Sequence, residues 1–471
     1  MTHYNHVIII GGGIAGLATA FYLQRQNPAI SYTLLEGSDR LGGKIVTETT
    51  DNFVIEGGPD SFISQKPWGT QLCRDLGLAD RLIPTNDDRR NIYVLRQGKL
   101  IPFPSGYRLT VPTEFIPFAR SPLISRLGKL RMAMDLVIPR RKETGDESLA
   151  SFMRRRLGQE ALDMIGEPMM ASIYTANPEK LSIQSTFPMF VEMEQKHGSL
   201  IKAMQIAKRE AAAKAKTQSN PPPKQAMFTS LQGGMQELVT QLEQQLTGNI
   251  RCNSRVVELR KVKAGYEVVV ESPNFTYQTL TAEKVVLALP AYDTAPLISP
   301  FAAAVATELR RIRYVPTATV SLGYRRADIG HELDGFGFLI PKSEQRQISA
   351  CTWSSTKFNH RADENHALLR LFVGGEGQEK LVNLSDVSLI TLARMELFAT
   401  MGISAQPILS RIYRWSPGTP QYDVGHLDRV ALIESLTAEI PGLYLTGSAF
   451  RGIGIPDCVK SALTTVSQLV S

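Results

Sequence analysis

Residues 7–44, VIIIGGGIAGLATAFYLQRQNPAISYTLLEGSDRLGGK, constrain this chain more than any other stretch. Val7 to Ile10 is a short apolar run of the kind a buried parallel strand requires. Gly11, Gly12, Gly13, Ile14, Ala15 and Gly16 then carry it into a helix that begins Leu17-Ala18. Gly11 allows a tight turn, Gly13 lets the backbone approach a pyrophosphate, and Gly16 lets helix and strand pack closely, so the helix N-terminus faces the phosphates. A second strand, Tyr32 to Leu35, ends at Glu36-Gly37. Glu36 stands twenty residues past Gly16, where a carboxylate accepts both ribose hydroxyls of an adenosine. A lone GxGxxG is a weak signal. Here strand, glycines, helix, strand and terminal acid coincide, and they specify a Rossmann-like dinucleotide-binding unit within an α/β fold.

The following residues select among dinucleotides. Arg40-Leu41-Gly42-Gly43-Lys44 adds a guanidinium and a second flexible loop beside the same pyrophosphate, an addition that resembles FAD-binding oxidases and not nicotinamide dehydrogenases. Glu36 also argues against a 2'-phosphate ligand, because two anions would then face each other.

A chain of 471 residues is too long for one core and implies two or three domains. Its net charge of +7 suits nucleic acid, anionic lipid or a polyanionic small substrate. With no arginine-rich run or nucleic-acid module, nucleic acid is set aside and the last two lead. Cys73, Cys252, Cys351 and Cys458 are scattered, without CxxC or a histidine cluster, so neither a disulfide framework nor a metal site is expected. A reducing compartment fits. The opening MTHYNH runs directly into the first strand, leaving no room for a signal peptide, and no stretch reaches the roughly eighteen apolar residues of a membrane span. These features predict a cytoplasmic protein, soluble or at most peripheral to a membrane.

Farther along, Phe53 to Glu56 reads as a strand ending in the turn Gly57-Gly58-Pro59-Asp60-Ser61, whose backbone N–H groups can donate to a flavin ring or phosphate. Lys66 is the nearest cation to that turn. Residues 68–83 read as helical, and Tyr93 to Phe103 as a strand pair turned at Gln97-Gly98. From Pro112 to about Ile206 helical patterns prevail. Within them, Arg120 to Lys142 mixes seven cations with apolar residues and one acid, a pattern that suits a membrane surface, the mouth of an anion-binding cleft or a solvated helix face. Lys208 to Ala226 reads as a linker stopped by Pro221-Pro222-Pro223. Thr229 to Leu246 restarts order, and Asn249–Glu258 and Tyr266–Glu271 read as strands, with Arg255-Val256-Val257 beside the adenine. Val285 to Leu289 is a buried strand ended by Pro290. Several alternating runs between 296 and 420 suit a sheet covering the cofactor. Near the C-terminus, strand Leu443–Thr446 leads through a glycine loop to helix Cys458–Val470. Such a helix N-terminus carries about half an elementary positive charge, and aimed at the flavin N1 and C2 carbonyl it favours the anionic reduced ring. The division is then 1–85, 227–295 and 421–471 for a discontinuous FAD-binding domain, 86–226 for a mainly helical domain with linker, and 296–420 for a sheet-based substrate domain.

The segments IIGGGIAGL, EGGPDSF, STFPMF, EQKHGSL, SACTW, TPQYDVGH and TGSAFRGIGIPDC occur in this order along nearly the whole chain. Together they resemble the flavin-dependent porphyrinogen oxidases of haem synthesis, and within them the soluble bacterial coproporphyrinogen III oxidase type. One departure is Ser172-Ile173-Tyr174-Thr175-Ala176-Asn177, where the family more usually has Gly-Ile-Tyr-Ala-Gly-Asp. The resemblance implies a monoamine-oxidase-like architecture. It also implies noncovalently bound FAD, three two-electron transfers from coproporphyrinogen III to FAD, and reoxidation by molecular oxygen with formation of peroxide. FAD is then the catalyst, and the protein positions the macrocycle against N5. Carried over as FAD contacts are Gly11, Gly12, Gly13, Ile14, Ala15, Gly16, Glu36, Gly37, Arg40, Gly43, Lys44, Gly58, Pro59, Asp60, Ser61, Val256, Ile453, Gly454 and Ile455, with Trp415 packing at the isoalloxazine. Lys66, Tyr174 and Arg451 are the substrate-side candidates, and the next haem-pathway enzyme is a candidate partner. Protoporphyrinogen IX is the alternative main substrate. An amine oxidase or a carotenoid desaturase would share the flavin fingerprint, but the GIGIPDC ending and the net basic charge favour a polycarboxylate over either substrate. A flavin-binding scaffold without turnover shares the same motifs, and anaerobic reduction of bound FAD by candidate substrates separates it.

Overall fold

The computed structural model describes residues 6–104, 107–108, 111–112, 115–143, 145–217 and 226–471. Its first sheet is fully parallel and ordered Asn249–Arg251, Ser31–Leu35, His6–Ile10, Lys284–Leu287, Leu443–Leu445. Both faces are covered, which is why His6–Ile10 and Ser31–Leu35 read as continuous apolar runs and not as alternating ones. Helix Ile14–Gln26 packs on one face against the C-terminal helix Ile455–Val470. The strand order reverses at His6–Ile10, so the crevice at the carboxyl ends of these strands is where such a sheet accepts a ligand. Gly11, Glu36, Ala288 and Thr446 each directly follow a strand or lie within a residue of its end at that edge.

The reading of 249–258 as one strand is corrected. Asn253 adopts φ 51°, and the chain breaks there into the parallel strand Asn249–Arg251 and the antiparallel strand Arg255–Val262. The latter pairs with Gly265–Ser272, which pairs with Thr276–Ala282. The 68–83 reading is likewise shortened to helix Pro67–Asp75, a single turn at Ala79–Arg81 and strand Leu82–Pro84.

A second, seven-stranded sheet is ordered Leu409–Pro420, Tyr314–Arg325, His366–Gly374, Ala350–Trp353, Gly335–Leu339, Asn91–Arg96, Lys99–Pro102. Its last two strands are the pair expected at Tyr93–Phe103: they turn at Gln97 and Gly98, both at positive φ, and Asn91–Arg96 joins Gly335–Leu339 in parallel. The described residues of 115–217 are mainly helical. Their packing is fastened by Arg156, fully buried, which donates to Asp135 Oδ1 at 2.6 Å and to the carbonyls of Ile138 and Gly198 at 3.0 and 2.9 Å. Asp135, the one acid of the cationic 120–142 stretch, also accepts from Ser199 Oγ and the Ile201 N–H. The proline stop at 221–223 lies outside the described residues.

Candidate functional site

At the carboxyl end of the first strand Gly11 has φ 110°, and a Cβ at Gly16 would lie 1.9 Å from the Gly11 carbonyl oxygen, so neither position tolerates a side chain. Gly13 differs. It is the N-cap of helix Ile14–Gln26 in ordinary extended geometry, with no side-chain cap, and a Cβ there meets nothing within 4 Å. The first turn of this helix therefore offers unpaired N–H groups and the positive end of its dipole to open space.

Glu36 closes one side. Its Oε2 accepts the Gly12 N–H at 2.7 Å, and its Oε1 accepts the N–H and hydroxyl of Ser38, each at 2.8 Å. A carboxylate has about four lone-pair sites, so capacity for one further donor remains, and for two when the Ser38 hydroxyl donates instead to the Arg40 carbonyl at 2.8 Å. The Arg251–Ser254 segment lies alongside, with Ser254 N–H donating to the Glu36 carbonyl at 2.8 Å and Asn253 N–H to that of Ser38 at 2.7 Å. Val256 follows two residues later, and Gly37 lies against the stem of Arg255.

Loop 40–45 is seated directly on the glycine turn: Gly42 N–H donates to the Gly12 carbonyl at 2.9 Å. The Arg40 guanidinium spends its donors on this loop, at 3.2 Å to Leu41, 2.6 Å to Gly43 and 3.1 Å to Ile45. In the structure it braces the loop. Lys44 reaches the Gly418 carbonyl, and burial pushes its amine below the usual lysine value.

The Gly57–Ser61 turn is closely packed at its two glycines. A Cβ at Gly58 would fall 1.7 Å from the Lys44 carbonyl oxygen, and one at Gly57 would strike the Tyr413 ring. The Gly57 carbonyl accepts the Trp415 indole N–H at 3.0 Å, and Arg370 donates to the Gly58 carbonyl at 2.6 Å. Beside Pro59, the Asp60 carboxylate turns away into the protein. Burial opposes its ionisation, but Lys357 at 2.8 Å and the nearby Arg370 outweigh that and hold it well below the usual carboxylate range. Ser61 donates to the same carboxylate at 2.6 Å.

From the other side comes loop 447–454. Tyr422 donates to the Ser448 carbonyl at 2.7 Å and accepts the Gly452 N–H at 2.9 Å. Its ring stacks on His426, 4.1 Å between centroids, and His426 Nε2 donates to the Phe450 carbonyl at 2.7 Å. Burial pulls the His426 pKa down to about 4, so the imidazole is neutral. Ile453 packs against the helical core, and Gly454 caps helix Ile455–Val470 without a side chain bonded to its first N–H groups. Gly447, at the start of this loop, approaches Ala15 in the first turn of helix Ile14–Gln26.

The three substrate-side candidates separate. Tyr174 faces this crevice region: its ring lies 6.2 Å from Tyr422 and 6.0 Å from Phe187, and burial, with Asp457 nearby, pushes its phenol pKa well up. Thr175, in the departing segment, takes φ 51°. Lys66 is already paired, 2.6 and 2.8 Å from the two Asp457 oxygens and about two-fifths exposed. Arg451 points outward into a bidentate pair with Glu434, both about half exposed. Arg370, Lys357, Tyr413, Tyr422 and His426 were not singled out from the sequence. TPQYDVGH contains two of them and marked the place without the role.

These features fit an adenine dinucleotide with an extended redox ring: open space at a capless helix end, a carboxylate beside a polar strand end, and a second glycine-capped helix across the crevice. The class so defined is that of FAD-dependent oxidoreductases with a discontinuous Rossmann-like domain.

Residues 14–470 match the family described as flavin containing amine oxidoreductase, and the chain belongs to that family. It is 37% identical over 99% of its length to the coproporphyrinogen III oxidase of Bacillus subtilis (strain 168), covering 98% of that protein. It is 33% identical to the enzyme of that name from Staphylococcus aureus, with 99% of each covered. Protoporphyrinogen oxidase 1 of Arabidopsis thaliana is 30% identical over 98% of this chain and 87% of its own. A crystal structure of a candidate protoporphyrinogen oxidase from Exiguobacterium sp. 255-15 superposes with TM-score 0.86 at 33% identity, covering 98% of both chains. Putrescine oxidase superposes with TM-score 0.68 at 16% identity, covering 99% and 98%, which places the fold in the monoamine-oxidase-like group. Among the described residues no helix is long and apolar enough to cross a membrane, and no cluster of histidine, cysteine and carboxylates could hold a metal ion.

Proposed function

We propose that this protein oxidises coproporphyrinogen III to coproporphyrin III in haem biosynthesis, with molecular oxygen as final acceptor and hydrogen peroxide as by-product. The observation that carries the reading is full-length similarity, at 37% and 33% identity, to two bacterial proteins that bear the coproporphyrinogen III oxidase name. FAD supplies the electron-accepting chemistry when bound. The chain's own part is binding and exclusion. Gly11 to Gly16 and the helix they open hold the pyrophosphate, Glu36 and the neighbourhood of Val256 hold the adenosine, and Gly58 to Ser61, Trp415 and Ile453 to Ile455 frame the ring. Asp60 is held by Lys357 and Lys66 by Asp457, so neither is a free base. The electron-rich pyrroles of the substrate supply the electronic push instead. Domain limits at 85, 226, 295 and 420 belong to the same reading.

We place the protein in the cytoplasm, handing its product to the next haem-pathway enzyme. Peripheral contact with an anionic membrane would use exposed Leu127, Leu130, Met134 and Val137, which stand beside exposed Arg126 and Arg140. Flotation with anionic and with neutral vesicles tests it.

The function is tested with coproporphyrinogen III and protoporphyrinogen IX in parallel, following porphyrin fluorescence. Porphyrin should form faster from the first. An FAD-loaded protein that yields porphyrin from neither rules the reading out.

A further inference from the structure

A cavity of about 810 Å³ opens between helix Glu167–Tyr174 and the turns 340–349 and 376–381. Two elements that lead to it carry groups already placed beside the cofactor crevice. Glu167 lies seven residues before Tyr174, about 10 Å along the helix axis at 1.5 Å per residue. Opposite, strand His366–Gly374 carries Arg370 against the Gly58 carbonyl and runs on to Gly374, about 13 Å further at roughly 3.3 Å per residue.

Half of the six charged groups at the cavity are engaged. Arg346 pairs with Glu396 at 3.8 Å, Glu376 with Lys180 at 2.7 Å and Arg313 at 3.2 Å, and Glu379 accepts the Gly377 N–H at 3.0 Å. Three groups are left. Lys342 and Lys380 are exposed at the rim, and neither forms an ion pair among the described residues. Inside, Glu167 is only 6% exposed; its Oε2 accepts the Lys342 N–H at 3.1 Å, while its Oε1 is buried with no partner. A buried carboxylate oxygen without a donor is costly in a protein interior. The ligand that complements this arrangement carries carboxylates on its outer edge and an N–H donor further in. A porphyrinogen has both.

We propose that this cavity receives the propionate-bearing half of the porphyrinogen remote from the flavin, with Lys342 and Lys380 pairing with two carboxylates and Glu167 Oε1 accepting a pyrrole N–H. The assignment rests on the function proposed above and adds the residues that distinguish four carboxylates from two. Protoporphyrinogen IX, with vinyl groups in place of two propionates, leaves one or both lysines without a partner.

The test uses the FAD-loaded protein, its K342A/K380A double variant and E167Q. Binding of coproporphyrin III, followed by quenching of its fluorescence at low salt, should weaken about fivefold or more in the double variant. Binding of protoporphyrin IX should weaken less than twofold, and the difference should close as salt rises. E167Q keeps the bond to Lys342 and should leave porphyrin binding unchanged, because the N–H groups of a planar porphyrin point into the ring. It should raise KM for coproporphyrinogen III by about threefold. Equal coproporphyrin III affinities in parent and double variant, or an unchanged KM in E167Q, would overturn the assignment even if the parent oxidises porphyrinogens. A parent that forms no porphyrin, yet binds coproporphyrin III more tightly than the double variant does, would overturn the proposed activity and leave the ligand of the cavity standing.

Discussion

A Cβ added at Gly13 meets nothing within 4 Å, whereas one added at Gly58 falls 1.7 Å from the Lys44 carbonyl oxygen. In the proposed reading Gly13 lies at the adenosine and pyrophosphate end of the cofactor crevice and Gly58 at its ring end. At the adenosine and pyrophosphate end, the protein leaves space and donors for a ligand. At the ring end, its polar groups are bound to one another: Gly57 and Gly58 to Trp415 and Arg370, Asp60 to Lys357, Tyr422 to Ser448 and Gly452. Substitutions at the first end should therefore act on the cofactor, and those at the second on the fold.

Gly58→Ala is the largest test. The obstacle is backbone, which cannot swing aside as a side-chain end can. The variant should fail to accumulate as folded holoprotein, whereas Gly13→Ala should fold with the thermal stability of the parent apoprotein and lose FAD. Normal FAD content in both, measured by flavin absorbance after gel filtration, would erase the contrast.

Glu36→Ala comes next. It removes two charge-assisted ribose contacts worth roughly 1.5 to 3 kcal/mol each. It also frees the N–H groups of Gly12 and Ser38 that now anchor the loop. FAD affinity should fall at least tenfold, read by fluorescence on dilution. Retention of FAD through dialysis, as in the parent, would refute the adenosine assignment.

This contrast also explains what could be read from the amino acids alone. Gly11 to Glu36 is a local motif whose defining contacts, Gly16 on Gly11 and Glu36 on Gly12 and Ser38, lie within about thirty positions, and strand, helix and carboxylate are found where the spacing puts them. The ring end is assembled from partners hundreds of residues apart, such as Asp60 with Lys357 or Lys66 with Asp457, and no spacing announces such pairs. Arg40 illustrates the limit: the motif located it, but its donors serve its own loop. Asp135 does so more sharply. In a stretch of seven cations it read as an incidental acid, yet it is the buried clasp of the helical core. Composition records that a charge is present and not which side of the helix it occupies.

His426 gives the ring end a pH signature. Its folded pKa is depressed to about 4 from an ordinary 6.5, so the neutral form is favoured in the fold. Below pH 6.5 the unfolded chain takes up a proton that the native protein refuses, and stability falls until about pH 4. At about 1.36 kcal/mol per pKa unit the 2.5-unit difference is worth at most about 3 kcal/mol. Thermal unfolding of parent and His426→Gln between pH 7 and 4 should show a steeper fall in the parent, because paired carboxylates such as Glu194 and Glu376 add a slope common to both. Equal slopes in the two would assign the fall to those other groups.

Lys66→Ala is the smallest effect and bears on which end the substrate addresses. The ammonium is two-fifths exposed and already held by Asp457, and exposed pairs of this kind contribute about 0 to 1 kcal/mol. Coproporphyrinogen III, with four propionates, has more chances than protoporphyrinogen IX, with two, to place a carboxylate against the same ammonium. If it does, the variant should lose up to about fivefold in kcat/KM with the former and less with the latter, converting 1 kcal/mol at 1.4 kcal/mol per decade. The gap should narrow as salt rises, because exposed charges are screened beyond about 8 to 10 Å. Asp457→Asn separates the alternatives further. Removing the internal competitor should strengthen a propionate contact, lowering KM for coproporphyrinogen III where Lys66→Ala raises it. If both variants instead lose activity equally on both substrates, Lys66 and Asp457 form an internal tie that positions the start of helix Ile455–Val470, and the substrate's carboxylates are received elsewhere.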